Sequence, residues 1–187
     1  DLHLESGYFP KAEWNVYVGA AFIGSAIGVS NSTPIVIKGC SVRDFTVESR
    51  DASAAFVGYI YSQSVGIYNS YCVDSKISHT NTTDTKINSS AFIAVTNGND
   101  YLNSIIVANS YCVDVSPLIY LSGNFGAITK YSNIYTNYAD YDNSVSGVKK
   151  LTSEQMKGEN AKIYMTGLYF GTFWEIGENG YPVHSKY

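Results

Sequence analysis

Six consecutive residues of this chain occur twice. Ile67-Tyr68-Asn69-Ser70-Tyr71-Cys72-Val73-Asp74 returns as Val107-Ala108-Asn109-Ser110-Tyr111-Cys112-Val113-Asp114, identical over its last six positions. Weaker copies flank the pair: Ile37-Lys38-Gly39-Cys40-Ser41-Val42-Arg43-Asp44 before it, and Tyr131-Ser132-Asn133-Ile134-Tyr135 after it. A small-aromatic-aliphatic run accompanies the copies, as Ala21-Phe22-Ile23-Gly24, Ala55-Phe56-Val57-Gly58, Ala91-Phe92-Ile93-Ala94 and a faded Phe125-Gly126-Ala127-Ile128. Repetition at such a period marks stacked units, each unable to bury its apolar face alone. The aliphatic or aromatic residue two places before the Asn, or before Gly39, is Ile37, Ile67, Val107 and Tyr131 in turn, so the spacing is unequal. Unequal spacing on a constant frame indicates loop insertions of different length.

Within a repeat the pattern is strand-like. Ala55-Phe56-Val57-Gly58-Tyr59-Ile60-Tyr61 is rich in β-branched and aromatic residues, Ser62-Gln63-Ser64 reads as a turn, and Val65, Ile67, Asn69 and Tyr71 alternate with Gly66, Tyr68 and Ser70. A period of two marks a half-buried strand. The expectation is an all-β solenoid of about four irregular coils, with two or three short strands per coil. Its core would be built from the columns Phe22/Phe56/Phe92, Ile37/Ile67/Val107 and Val47/Ile77, the last continued by Pro117. Corners between strands call for left-handed backbone, which Asn and Gly tolerate best. Gly39, Asn69, Asn109 and Asn133 are therefore the expected corner residues, with the Asn side chains forming a ladder from coil to coil.

The C-terminal segment differs. Thr152-Ser153-Glu154-Gln155 is a capping-box pattern, with Gly158 placed to stop a short helix. Ala161, Tyr164, Met165 and Leu168 follow at helical spacing. Phe173-Trp174-Glu175-Ile176 and Tyr181-Pro182-Val183 flank the turn Gly177-Glu178-Asn179-Gly180, a hairpin signature. Residues 1–146 are thus expected to form the repeats and 147–187 a small helix-and-hairpin cap covering the last coil. At the other end Leu2, Leu4, Tyr8 and Phe9 suggest a partial coil with no cap signal before it. More chain, or another subunit, is expected to cover that end.

Composition limits the partners. The net charge is −4 and no Lys/Arg cluster occurs, which argues against nucleic acid. The longest apolar runs fall short of the roughly 20 residues of a membrane span. Low charge (15%) with seventeen Tyr and eight Phe suits a β-rich extracellular protein. The absence of a leading Met or signal peptide reads as a mature chain or an excised fragment. Asn31, Asn81 and Asn88 head glycosylation sequons, which matter only in a eukaryotic source.

Three constellations carry chemistry. Asp44, Asp74 and Asp114 share one repeat position, so their carboxylates would stack. Such a row recruits a cation, Ca²⁺ by its oxygen ligands, or forms a carboxylate pair for glycoside chemistry, unless each Asp is a turn residue facing solvent. Arg43 has no counterpart in the next two copies, leaving the row without built-in neutralisation. Cys72 and Cys112 are equivalent and within disulfide range if stacked; the other reading is two reduced thiols in the core. Cys40 belongs to a different column. Tyr59, Tyr61, Tyr68, Tyr131, Tyr135, Tyr138 and Tyr141 could line one ligand-facing aromatic surface. None of His3, His79 and His184 sits in a catalytic or zinc motif. No cofactor is expected beyond Ca²⁺ at the Asp row.

Pieces such as Ala55-Phe56-Val57-Gly58-Tyr59 with Ile67-Tyr68-Asn69-Ser70-Tyr71 resemble the GLUG-motif repeats of bacterial surface proteins. Leu151-Thr152-Ser153-Glu154-Gln155-Met156-Lys157, Phe173-Trp174-Glu175-Ile176 and Gly180-Tyr181-Pro182-Val183 are similar to the segment that often closes such arrays. The resemblance spans residues 20–187. It implies a right-handed β-solenoid and an extracellular or cell-surface, adhesin-like, non-enzymatic module with no catalytic residues in the repeat. Its partners would be a protein or glycan ligand or neighbouring subunits. The chain departs from the pattern in carrying Asp at 44, 74 and 114, where such repeats have Gly. Two alternatives stand beside it: a carbohydrate-binding or carbohydrate-active β-helix using the Tyr groove and the Asp row, and an accessory domain of a secreted metallopeptidase.

Overall fold

The structure is a computed structural model describing residues 2–5, 8–9, 18–27, 33–61, 63–80, 89–97, 105–115, 132–135, 137–140 and 147–185. It is mostly β, with parallel sheets and one α-helix among the described residues. The strands follow one order. Ile35–Lys38 leads to Ser41–Arg43, Thr46–Ser49, Ala52–Ala54 and Val57–Tyr61, and Val65–Tyr68 begins the order again. Each strand pairs in parallel with its counterpart in the next recurrence, Ile37 opposite Ile67 and Ile67 opposite Val107. The recurrence therefore holds five strands rather than the expected two or three. Tight corners make the difference, because strands of three to five residues need a turn at every junction.

Two of those corners use left-handed backbone. Gly39, Asn69 and Asn109 have φ of 64°, 47° and 52° at the first; Asp44, Asp74 and Asp114 have 48°, 50° and 53° at the second. The first is the corner expected of Gly39, Asn69 and Asn109, and the second agrees with the reading of Asp44, Asp74 and Asp114 as turn residues. Aspartate serves at the second because its short polar side chain tolerates this region, as Asn does.

The expected columns fill the core. Phe22, Phe56 and Phe92 stack with centroids 5.1 and 4.9 Å apart. Ile37, Ile67 and Val107 stand in register, as do Val47 and Ile77, and all five are buried. Each such side chain contributes roughly 1.5–3 kcal/mol. Pro117 lies outside the described residues. The last copy is corrected: Ile134, not Tyr131, pairs with Val107, and Asn133 lies opposite Ile106 within the strand Ser132–Tyr135. Asn133 is thus a strand residue and not a corner residue. The column of Ile37, Ile67 and Val107 is aliphatic, and Ile134 is the residue of the last copy that continues it.

The C-terminal segment is built as its local chemistry dictates. Val148–Lys150 adds a sixth strand to the sheet of His3–Glu5, Ser41–Arg43, Tyr71–Val73, Tyr111–Val113 and Asn137–Ala139. The Gln155 N–H donates to Thr152 Oγ1 (3.2 Å) and the Thr152 N–H to Gln155 Oε1 (2.9 Å), closing the capping box of the 3₁₀ turn Ser153–Met156. Lys157 separates that turn from α1 (Gly158–Tyr164), whose first residue Gly158 has φ 55°. Trp174–Ile176 and Pro182–His184 form the hairpin. Its position differs from expectation. Met156, Met165, Leu168 and Trp174 pack on Tyr71, Val73, Tyr111, Val113 and Tyr138, so the segment covers the outer face of the six-stranded sheet across three recurrences. The physical reason is the outward row of Tyr and Val on that face, which needs a cover; one strand earlier the same positions are Ser41 and Arg43.

Candidate functional site

The second corner brings Asp44, Asp74 and Asp114 into one row, all exposed. The N–H groups of Asp44 and Asp74 donate to the carbonyls of Val73 (3.1 Å) and Val113 (3.2 Å). The Asp114 N–H donates instead to Asp140 Oδ2 (3.0 Å). Asp140 thereby joins the row, a member that sequence reasoning missed because Tyr138-Ala139-Asp140 is one residue shorter than Tyr-Cys-Val-Asp. The C-terminal segment supplies the compensation that the repeat lacks. The Tyr181 hydroxyl donates to Asp114 Oδ2 at 3.1 Å, and Lys157 Nζ lies 4.6 Å from the Tyr181 ring centroid. Arg43 and Lys157 both favour the ionised form of Asp74.

Burial, then repulsion from Asp114, holds the Asp74 carboxyl above its ordinary pKa despite those cations. Burial likewise raises Asp140, opposed by the hydrogen bond from the Asp114 N–H and helped by the charge of Asp114. A carboxyl whose pKa is higher folded than unfolded stabilises the fold while protonated. That contribution is complete below 3.8, the ordinary value, and is lost as pH rises through the folded value. Asp74→Asn is accordingly expected to flatten the fall in urea midpoint above about pH 4 and to raise stability at pH 7 by less than about 1 kcal/mol. Urea titrations of both proteins across that range check it; an unchanged slope counts against the assignment.

Calcium finds no assembled ligand set here. Among the described residues no three His, Cys, Asp or Glu side chains converge to hold a metal ion. Asp44, Asp74 and Asp114 are exposed residues, although the Asp74 carboxyl is partly desolvated and Asp114 Oδ2 accepts from the Tyr181 hydroxyl.

The first corner is held by its second residue. Cys40 N–H donates to Ser70 Oγ (3.3 Å), Ser70 N–H to Ser110 Oγ (3.1 Å) and Ser110 N–H to Asn137 Oδ1 (3.0 Å), while Asn137 Nδ2 donates to the Val107 carbonyl (2.7 Å). The ladder expected of Asn69 and Asn109 is thus made by Ser70, Ser110 and Asn137. What Asn69 and Asn109 contribute is backbone conformation. Asn69→Gly is expected to change stability by a few tenths of a kcal/mol and Asn69→Ala to cost about 1 kcal/mol, read from urea unfolding. The Asn69 carbonyl also takes part in seating the C-terminal hairpin, lying 2.6 Å from His184 Nε2. The His184 ring lies 4.7 Å from that of Trp174 and 5.1 Å from that of Tyr71. No motif pointed to this histidine.

The aromatic surface is not continuous among the described residues. Tyr59 and Tyr61 share one strand, but their partners on adjacent strands are Ser25 and Val95, and Ile27 and Asn97. Tyr68 lies between Lys38 and Ala108, and its ring lies over Gly66, where a Cβ would meet it. Tyr135 falls opposite Ala108; Tyr131 and Tyr141 lie outside the described residues. The tyrosines that do stack are Tyr71 and Tyr111, 5.3 Å apart and buried. Tyr138 stands next in their column, its hydroxyl accepting from the Gly167 N–H at 2.8 Å.

Cys72 and Cys112 pair in register and are buried, and neither they nor Cys40 forms a disulfide. The disulfide reading is therefore corrected. Strand spacing of about 4.8 Å lies within the Cα range of a disulfide, but both side chains sit in the apolar core as reduced thiols. Burial pushes the Cys72 thiol up to about 12, so it acts as a core residue and not as a nucleophile. Comparison with known families, with curated proteins and with solved structures found no match to this chain.

Proposed function

We propose that the chain is a right-handed β-solenoid of about four irregular coils, residues 1–146, with residues 147–187 as its small α+β cap. We propose further that it serves as a non-enzymatic structural or adhesive module of a bacterial cell-surface protein of the GLUG-repeat kind. One observation carries the reading. Equivalent residues stand in register through successive parallel strands, so Phe on Phe, Tyr on Tyr and Ser on Ser are spent on walls. Parallel connections between strands of one sheet are right-handed in nearly all proteins, which supports the hand. The exposed walls between corners would present the ligand-facing surface to a protein or glycan.

Two measurements test this. Antibody raised against the chain is expected to label intact producing cells; labelling only after permeabilisation would overturn the surface location. Incubation of the chain with a polysaccharide panel is expected to release no reducing ends. Release that is abolished in Asp74→Asn or Asp114→Asn would favour a carbohydrate-active β-helix instead.

A further inference from the structure

Trp174 and Asn69 each bury a polar atom that the protein's own groups do not match. Trp174 has no solvent exposure and Asn69 only 9%. Among the described residues neither Trp174 Nε1 nor Asn69 Oδ1 has a hydrogen-bond partner. The first is a donor and the second an acceptor. A buried polar atom left unmatched bears its full desolvation cost, so two of them in one interface call for a reason. Both residues border the same imidazole. His184 stands directly opposite Trp174 in the hairpin, with ring centroids 4.7 Å apart, and its Nε2 lies 2.6 Å from the Asn69 carbonyl. Tyr71 closes the group, 5.1 Å from the His184 ring and 5.8 Å from the indole. A carbonyl only accepts, so His184 Nε2 carries a proton, and in the neutral ring Nδ1 is then an acceptor. The polar atoms at this seat of the hairpin are thus one N–H, of Trp174, and two acceptors, Asn69 Oδ1 and His184 Nδ1.

We propose that this seat is an internal water site. One water accepts from the Trp174 Nε1–H and donates to Asn69 Oδ1, with its second hydrogen toward His184 Nδ1. Water fits because a single heavy atom supplies an acceptor and two donors together, and a buried water typically makes about three such bonds. An anion would be repelled by the two acceptors, and a cation by the indole N–H. A bridging water holds two groups nearly as well as a direct hydrogen bond. It would therefore tie the hairpin to the left-handed corner of the second recurrence through side chains as well as through the Asn69 carbonyl.

The test compares the whole chain with one in which Trp174 is replaced by its benzothiophene analogue, which keeps the bicyclic shape and lacks the N–H. The chain has two tryptophans, and the indole N–H signal lost in the analogue is that of Trp174. In the unaltered chain this N–H is expected to show a nuclear Overhauser cross-peak to water, with the sign of a long-lived contact and not of exchange. The analogue is expected to lower the folding equilibrium constant about fivefold, because a bonded N–H is removed. Asn69→Gly accepts the corner φ of 47° and takes away one of the water's two acceptors. It is expected to weaken the cross-peak while the chain stays folded. The site is overturned by the absence of a cross-peak, or by a cross-peak indifferent to Asn69→Gly. It is overturned equally by an analogue that folds as well or better, the mark of an N–H that was dry and unsatisfied.

Discussion

Phe56→Ala is expected to lower the unfolding free energy by about 3–5 kcal/mol, the range for deleting a fully buried aromatic ring. Phe56 is the middle of three stacked rings and has no solvent exposure. Its removal leaves a cavity that Phe22 and Phe92 cannot close, because their backbones are held at strand spacing by the sheets on either side. Two ring–ring contacts are lost together, each worth about 0.5–1.5 kcal/mol beyond buried area. Phe22→Ala makes the internal comparison: Phe22 has one ring neighbour in the stack and is partly exposed, so its loss should be smaller. Urea unfolding of the two variants reads the difference. Equal losses, or a Phe56→Ala loss well below that range, would mean that the stack does not organise the core.

Trp174→Ala is expected to cost a similar amount, about 3–5 kcal/mol, but to act in a different place. The indole is fully buried between the C-terminal segment and the outer face of the six-stranded sheet, 5.8 Å from both Tyr71 and Tyr111. Without it the segment keeps the smaller apolar contacts of Met156, Met165 and Leu168 and polar fastenings that include the Tyr111 hydroxyl to the Pro182 carbonyl, the Gly167 N–H to the Tyr138 hydroxyl, and the Tyr181 hydroxyl to Asp114. Each such bond contributes roughly 1 kcal/mol net. Limited proteolysis should therefore cut within residues 147–185 of the variant at protease levels that leave the wild type whole, with the far-ultraviolet signal of the parallel strands retained. Loss of that signal would instead mean that the segment is needed for the walls to form.

The repeats were legible because the strand pairings between recurrences join equivalent positions. Aligning Asn69 with Asn109 gives the register of Tyr71 on Tyr111 and Cys72 on Cys112. Alignment misleads where the copy is degenerate. Tyr131-Ser132-Asn133 looks like the motif, but the column of Val107 is aliphatic and its register partner is Ile134. The capping box and hairpin turn were readable because their partners lie within a few residues. The surface they cover was not, since nothing local distinguishes an outward Tyr71 meant for solvent from one meant for Trp174. The compensation of the Asp row was hidden for the same reason: Asp114 and Tyr181 meet in space but stand far apart along the chain.

The in-register walls also set how the chain must find its structure. Ile37 pairs with Ile67, Ile67 with Val107 and Val107 with Ile134, so each closure must bring together the ends of a whole recurrence. The short spans among the described sheets are Trp174–Ile176 with Pro182–His184, and Asn137–Ala139 with Val148–Lys150. Loop closure costs entropy before any distant contact repays it, and topologies of high contact order fold in milliseconds to seconds rather than microseconds. The C-terminal hairpin can form early, yet Tyr71 and Tyr111, its docking surface, come together only when two recurrences have met. Folding speed should therefore follow the pairing of the second and third recurrences, and mutations that slow it should cluster around Val65–Val73 and Ile105–Val113.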